Sequence, residues 1–213
     1  MGKTLTKTRC VIFGGMISEI PPNITDMLSD TDYIICADKG YEFAKVNNIK
    51  PDLIVGDFDS TSKPQNIDAE VIVLPTKKDE TDLHFAAVYA VEKGFKNFLI
   101  SGVTGGRLDH TFASFSTLKY LSEENRSCKL IDFNTTAFYT EKSIEIKKPE
   151  YPCYLSVFSV GDTATVSIKG AEYSAEQITL SNEFPLGVSN CFLEDTVFIN
   201  VKNGACYILI VNK

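Results

Sequence analysis

Along the first two-thirds of the chain, short apolar runs alternate with stretches of helical period. The runs at residues 10–13, 33–37, 52–55, 70–74, 97–101 and 129–133 are almost continuously hydrophobic. Strands covered by helices on both faces of a parallel sheet read this way, whereas half-exposed strands alternate. Most of the runs end in glycine or charged residues: Gly14-Gly15, Asp38-Lys39-Gly40, Gly56-Asp57 and Gly102. Between the runs, residues 41–47, 81–93 and 109–122 read as helices. The second carries Leu83, Ala86, Ala87, Ala90 and Val91 on one face and stops at Gly94. The third carries Phe112, Phe115, Leu118 and Leu121 at helical spacing. This alternation predicts an α/β domain with a Rossmann-like, mostly parallel sheet.

After about residue 134 the pattern changes. Runs at 154–160 and 163–168 are split by Gly161-Asp162, and runs at 195–201 and 205–211 flank Asn203-Gly204, a strong two-residue hairpin signal. No long helical pattern remains. Two domains are expected: an α/β domain over residues 1–134 and an antiparallel β-sandwich over 135–213.

Composition narrows the partners. The 213 residues carry a formal charge of −7, and a chain this acidic repels a phosphate backbone, which argues against nucleic acid. The apolar run at 10–13 is too short for a signal-peptide core, and no stretch is long enough to span a bilayer. The expected setting is cytoplasmic, with no membrane partner. The six cysteines form no CxxC pair, and with only two histidines they show no zinc-ligand spacing; buried free thiols are expected.

The polar clusters fall where open α/β sheets bind ligands, beyond the carboxyl ends of the strands. Asp38, Asp57, Asp59, Asp82 and Asp109 are expected to converge there. Converging carboxylates repel unless a cation lies between them, and a hard ion such as Mg²⁺ is held by one or two carboxylates together with substrate phosphates. Arg107 offers a planar fork to phosphate oxygens. Gly105-Gly106 permits close backbone approach, and a helix starting near Asp109 points its N–H groups at an anion. No GxxxxGK[ST] is present, which excludes a Walker-type loop. Taken singly, each feature has a plainer reading: a turn aspartate at Asp38, an N-cap at Asp79 or Thr81, a surface ion pair at Arg107. Their conjunction at successive strand ends favours a site.

A rival reading rests on Asp57-Phe58-Asp59-Ser60-Thr61, which resembles the D-x-D-x-T motif of haloacid-dehalogenase-type phosphatases. That motif usually follows the first strand, and no downstream acidic pair completes it here. A non-catalytic nucleotide-binding sensor is a further alternative.

The clusters also have an order. Residues 36–40, 51–60, 79–82 and 105–110, followed by Gly170-Ala171-Glu172-Tyr173 and Gly187-Val188-Ser189-Asn190, resemble the thiamin pyrophosphokinase family in sequence and spacing. The resemblance implies transfer of pyrophosphate from Mg-ATP to the thiamin hydroxyl, giving thiamin diphosphate and AMP. It implies ATP contacts from Asp38, Lys39, Gly40, Thr81, Gly105, Gly106 and Arg107, and Mg²⁺ held by Asp57, Asp59 and Asp82. Asp57, Asp59, Asp82, Arg107 and Asp109 form the implied catalytic set, with either Asp109 or Asp82 orienting the hydroxyl. Tyr173, Ser189 and Asn190 are implied to hold thiamin. A homodimer with an active site shared between subunits is implied as well.

Overall fold

The computed structural model describes residues 7–58, 64, 67–77 and 79–213. The chain divides into two compact units, Met1–Phe133 and Asn134–Lys213.

The first unit is built on β1 (Arg9–Phe13), β2 (Asp32–Ala37), β3 (Leu53–Gly56), β4 (Glu70–Val73), β5 (Asn97–Ser101) and β6 (Ser127–Asp132), in the order β6-β5-β1-β2-β3-β4. All five pairings are parallel. Burial on both faces explains the continuous apolar runs. Val11, Phe13, Ile34, Cys36 and Ile54 face one core with Ala44 of α1 (Gly40–Val46). The alternate residues Ile12, Ile35, Leu53, Val55 and Ile100 are fully buried on the other side of the pleat. The helix α2 (Asp82–Glu92), which buries Ala86, Ala87 and Ala90, packs on β1, β2 and β3, and α3 (Leu108–Ser122) packs on β6.

The link from β1 to β2 is made of short 3-10 turns at Ile17–Glu19 and Pro22–Met27, consistent with Pro21 and Pro22 at its centre. One expectation for this unit needs correction. On α3 the buried stripe is Ser114, Thr117, Leu118 and Leu121, while Phe112 is 68% exposed. Ser114 and Thr117 tolerate burial because their hydroxyls donate to the carbonyls of His110 and Ala113 one turn back, and Ser114 also to Val103.

The second unit is antiparallel: β7 (Thr135–Thr140), β8 (Ile144–Lys147), β9 (Cys153–Lys169), β10 (Ala175–Ser181) and β11 (Thr196–Asn212). The two long strands are shared. The first half of β11 pairs with β8 and with the end of β9, which also pairs with β10. The second half of β11 pairs with β7 and with the start of β9. Leu155, Val157, Val166, Ile168, Ile199, Ile208 and Ile210 from both halves meet in one core, as in a sandwich whose strands pass from layer to layer.

The hairpin expected at Asn203-Gly204 is absent, because β11 runs through it, and β9 likewise runs through Gly161-Asp162. A type I′ turn needs positive φ at both central residues, and only Gly204 (φ +77°) has it. Here the pairing advances five residues along β9 (165 to 160) for two along β11 (203 to 205), so the pair marks a bend.

All six cysteines are free, and only Cys191 is partly exposed. Burial pushes the Cys206 thiol up to about 11 and those of Cys10, Cys36 and Cys128 higher still, so they are inert packing groups. Among the described residues no helix is long and apolar enough to cross a membrane.

Candidate active site

In the first unit the chain leaves β1 towards β2, β3 and β4 and returns to β5 on the opposite side of β1. The carboxyl ends of β1 and β5 therefore flank a topological switch point, where open α/β sheets form a ligand crevice. Gly14-Gly15 ends β1 and residues 102–107 follow β5. Their backbones touch: a Cβ on Gly14 would stand 2.5 Å from the Gly102 carbonyl oxygen. Gly14 N–H donates to Ser101 and Met16 N–H donates to Gly102.

The aspartates line up along this edge. Asp38 follows β2 in a left-handed backbone conformation (φ +52°), with its N–H donating to the Val55 carbonyl near the end of β3. Its Oδ2 lies 2.8 Å from where a Cβ of Gly15 would be, so the carboxylate leans over the end of β1. Lys39 is exposed. Gly40 is buried and starts α1 against β1; a Cβ there would fall 2.2 Å from the Phe13 carbonyl oxygen. The half-buried Asp57 follows β3 directly, and Phe58 after it is left-handed (φ +53°), which a bulky residue rarely adopts and which turns the chain sharply at this point. Asp59 lies outside the described residues.

Thr81 is the N-cap of α2: its Oγ1 accepts from the His84 N–H at 3.1 Å, leaving the hydroxyl hydrogen to donate. Asp82 is the first residue of that helix and is half-buried. Among the described residues, no three His, Cys, Asp or Glu side chains come close enough together to hold a metal by themselves. The oxygen donors of Asp57 and Asp82 nonetheless fit a hard divalent cation in kind, since Mg²⁺ needs only one or two carboxylates when phosphate and water complete its shell.

Arg107 and Asp109 meet each other. Arg107 donates through Nε (3.1 Å) and Nη2 (2.5 Å) to the two carboxylate oxygens of Asp109, and both side chains are exposed. The pair holds the Asp109 carboxyl below its ordinary range, chiefly through the Arg107 hydrogen bond, and raises Arg107. Arg107 is also the N-cap of α3, and its own side chain does not cap the helix; Asp109 Oδ1 accepts from the His110 N–H in the first turn (3.0 Å). Gly105 and Gly106 precede it in left-handed conformations (φ +78° and +57°). A long helix preceded by glycines and carrying an arginine at its start is suited to receive an anion.

In the second unit the two expected segments are joined. Residues 187–190 run beside β9, with Val157 N–H donating to Gly187, Ser189 N–H to Ser156 Oγ, and Leu155 and Asn190 bonded in both directions. Asn190 is buried. Its Oδ1 accepts from the N–H groups of Tyr173 and Cys191 (both 2.9 Å), and its Nδ2 donates to the Tyr173 carbonyl (3.0 Å). The amide thus clasps the backbone of Tyr173, whose ring is 69% exposed. Ser189 is exposed and left-handed (φ +61°).

Sequence reasoning passed over Gly14, Gly15 and Asp132. The glycines directly follow the apolar run at 10–13, and that pairing of run and Gly-Gly was the signal available. Asp132, only 2% exposed, ends β6 and accepts hydrogen bonds from the loop after β5. Burial pushes its carboxyl up, and these hydrogen bonds draw it back part of the way.

Both units have known counterparts. Residues 24–130 match the family described as thiamin pyrophosphokinase, catalytic domain, and residues 141–206 match the one described as thiamin pyrophosphokinase, vitamin B1 binding domain. The chain belongs to the thiamin pyrophosphokinase family. Over 191 residues it is 28% identical to the thiamine pyrophosphokinase of Bacillus subtilis (strain 168), covering 86% of this chain and 89% of that relative. The crystal structure of the Bacillus subtilis thiamine pyrophosphokinase is similar with a TM-score of 0.87 at 24% identity, over 97% of this chain and 100% of that one. Thiamin pyrophosphokinase from Candida albicans gives 0.77 at 15% identity, over 97% and 90%. A parallel α/β sheet followed by an antiparallel sandwich is thus the fold of this family. Membership makes the chain an enzyme of the kinase and transferase type, and nothing favours the dehalogenase-like phosphatase or the sensor; Asp57 follows β3, the third strand of the chain.

Proposed function

We propose that this protein transfers the terminal pyrophosphate of Mg-ATP to the hydroxyl of thiamin, releasing AMP and thiamin diphosphate. The observation that carries the reading is the match of both family domains, in order, on a chain whose acidic and glycine-rich motifs follow successive strand ends. The unit Met1–Phe133 would take ATP and the unit Asn134–Lys213 thiamin.

Transfer needs attack at the β-phosphorus with AMP as leaving group, a reaction served by positioning and charge stabilisation more than by covalent protein chemistry. Asp57, Asp59 and Asp82 would hold Mg²⁺, which when bound neutralises phosphate oxygens. Asp38, Lys39, Gly40, Thr81, Gly105 and Gly106 would surround the nucleotide. Arg107 would turn its fork from Asp109 to the phosphates; the pair is exposed, so exchanging one anion for another costs little. Asp109, so released, would orient the thiamin hydroxyl, with Asp82 as the other candidate. Tyr173 would stack on the vitamin beside Ser189, while Asn190 keeps the Tyr173 backbone in place. A homodimer sharing its sites between subunits follows from the family resemblance, and exposed Leu108, Phe112, Phe184 and Leu193 supply apolar surface for it. The six free thiols suit a reducing, cytoplasmic setting.

The test is a product assay with ATP, Mg²⁺ and thiamin. AMP and thiamin diphosphate should form in equal amounts; ADP with thiamin monophosphate would overturn the assignment.

A further inference from the structure

One residue from a different strand dominates the hydrogen bonding of the loop after β5. Asp132 Oδ1 accepts from the N–H of Gly102 (2.6 Å), while the Ser101 hydroxyl beside it donates to the Ile131 carbonyl (2.5 Å). Its Oδ2 accepts from the N–H of Val103 (3.2 Å), the N–H of Thr104 (2.7 Å) and Thr104 Oγ1 (2.6 Å). The carbonyls of the same stretch are taken from other sides: Ser101 by Gly14 N–H, Gly102 by Met16 N–H, and Val103 by Ser114 Oγ. Three consecutive N–H groups closing on one anion make a nest of the kind that elsewhere binds phosphate. Here the anion is internal. Residues 102–104 therefore turn their donors inward, and the next residues, Gly105, Gly106 and Arg107, are the first in the loop that can reach a ligand. Gly102, Gly105 and Gly106 all have positive φ, so the segment has little conformational preference of its own and needs an external fixed point.

We propose that Asp132 is a positioning residue that pins residues 102–104 and so aims Gly105, Gly106 and Arg107 at the phosphates of the nucleotide. The inference rests on the ATP-binding role proposed for that loop. An asparagine at 132 keeps the size but not the function. Whichever way its amide is turned, its NH₂ faces at least one backbone N–H, and the charge that gathers the nest is gone.

The test uses the full chain with the substitution Asp132→Asn, measured by steady-state kinetics and by amide hydrogen exchange. A loop displaced by about 1 Å lowers kcat/KM for ATP by about 10²-fold; the KM for ATP should rise and that for thiamin should not. A merely structural role would lower kcat through the loss of folded enzyme and leave both KM values alone. Exchange at the amides of Gly102, Val103 and Thr104 should speed up while α2 amides stay protected. Unchanged KM for ATP with unchanged local exchange overturns the proposal, as does a uniform rise in exchange across the unit. If Asp132→Asn does not fold, Thr104→Val, which removes only the Oγ1 donor, should raise the KM for ATP in the same direction with a smaller effect; no change in that variant overturns the proposal. A wild-type protein that makes no AMP from ATP and thiamin would defeat the reaction proposed above, and local exchange would then decide the anchor by itself.

Discussion

At the scale of single residues, the decisive feature is that Arg107 and Asp109 are paired at the surface. Sequence spacing marked each as a ligand group, yet it could not show that one occupies the other. Because Arg107 lowers the Asp109 carboxyl, the linkage has a definite sign. The pair's contribution is fully present above the ordinary carboxylate range and is lost only as pH falls through the lowered value. In the free enzyme, where the pair is intact, Asp109 is thus ionised throughout the neutral range, so an acid limb near neutrality in the pH profile of kcat/KM would have to come from another group. If Asp109→Asn abolished such a limb, Arg107 would not hold Asp109 low in the free enzyme. Removing charge from the proposed site separates chemistry from folding. Asp57→Asn and Arg107→Gln should each lower kcat by about 10²–10³, the usual cost of one electrostatic group at a reacting phosphate. Their melting temperatures should stay near wild type, since Arg107 is exposed and Asp57 only half-buried. A melting-temperature drop without a kcat effect would make them turn residues.

At the scale of elements, what was legible follows from how local the cause is. The runs of β1, β2, β3, β5 and β6 were readable because burial on both faces leaves a continuous apolar signature in a strand, whereas the edge strand β4 is only partly buried. The cap at Thr81 was readable because an N-cap is set by its own next three residues. Asp132 was not, because its partners lie some thirty positions earlier in the chain and nothing near Asp132 announces them. Nor was the fate of Asn203-Gly204, since the same dipeptide serves a hairpin turn and a bend, and only long-range pairing of β11 with β9 decides between them. The bend can be tested by paired substitutions. Gly161 (φ +82°) has open space where a Cβ would go, whereas at Gly204 (φ +77°) the Cβ would stand 2.6 Å from the Thr163 carbonyl oxygen. Gly161→Ala should therefore cost about 1 kcal/mol from backbone strain alone, and Gly204→Ala clearly more. Equal costs by chemical denaturation would show that the bend does not bring these backbones into contact.

At the scale of the whole molecule, the question is which chain completes which site. The acidic motifs lie before residue 134 and the Tyr173–Asn190 segment beyond it, so the proposed reading gives the two substrates to different units, and the proposed dimer joins units of different subunits. Complementation can test this, provided the second lesion spares the fold. Asn190 is unsuitable because its buried amide holds the backbones of Tyr173 and Cys191, so substitution would disturb the unit itself. Tyr173 is better: its ring is exposed, and Tyr173→Glu removes the stacking surface without emptying the core. Take one protein inactivated by Asp57→Asn and another by Tyr173→Glu. In a mixed dimer with shared sites, one site carries both lesions and the other carries none. Random exchange makes half of the dimers mixed, so the mixture should recover about a quarter of wild-type activity per protomer. Sites completed within one subunit would keep one lesion each, and mixing would restore nothing. Co-expression with two different tags, followed by sequential capture, isolates the mixed dimer and raises the expected recovery to about a half. A captured heterodimer with no activity would place each site within a single chain and leave the proposed chemistry intact.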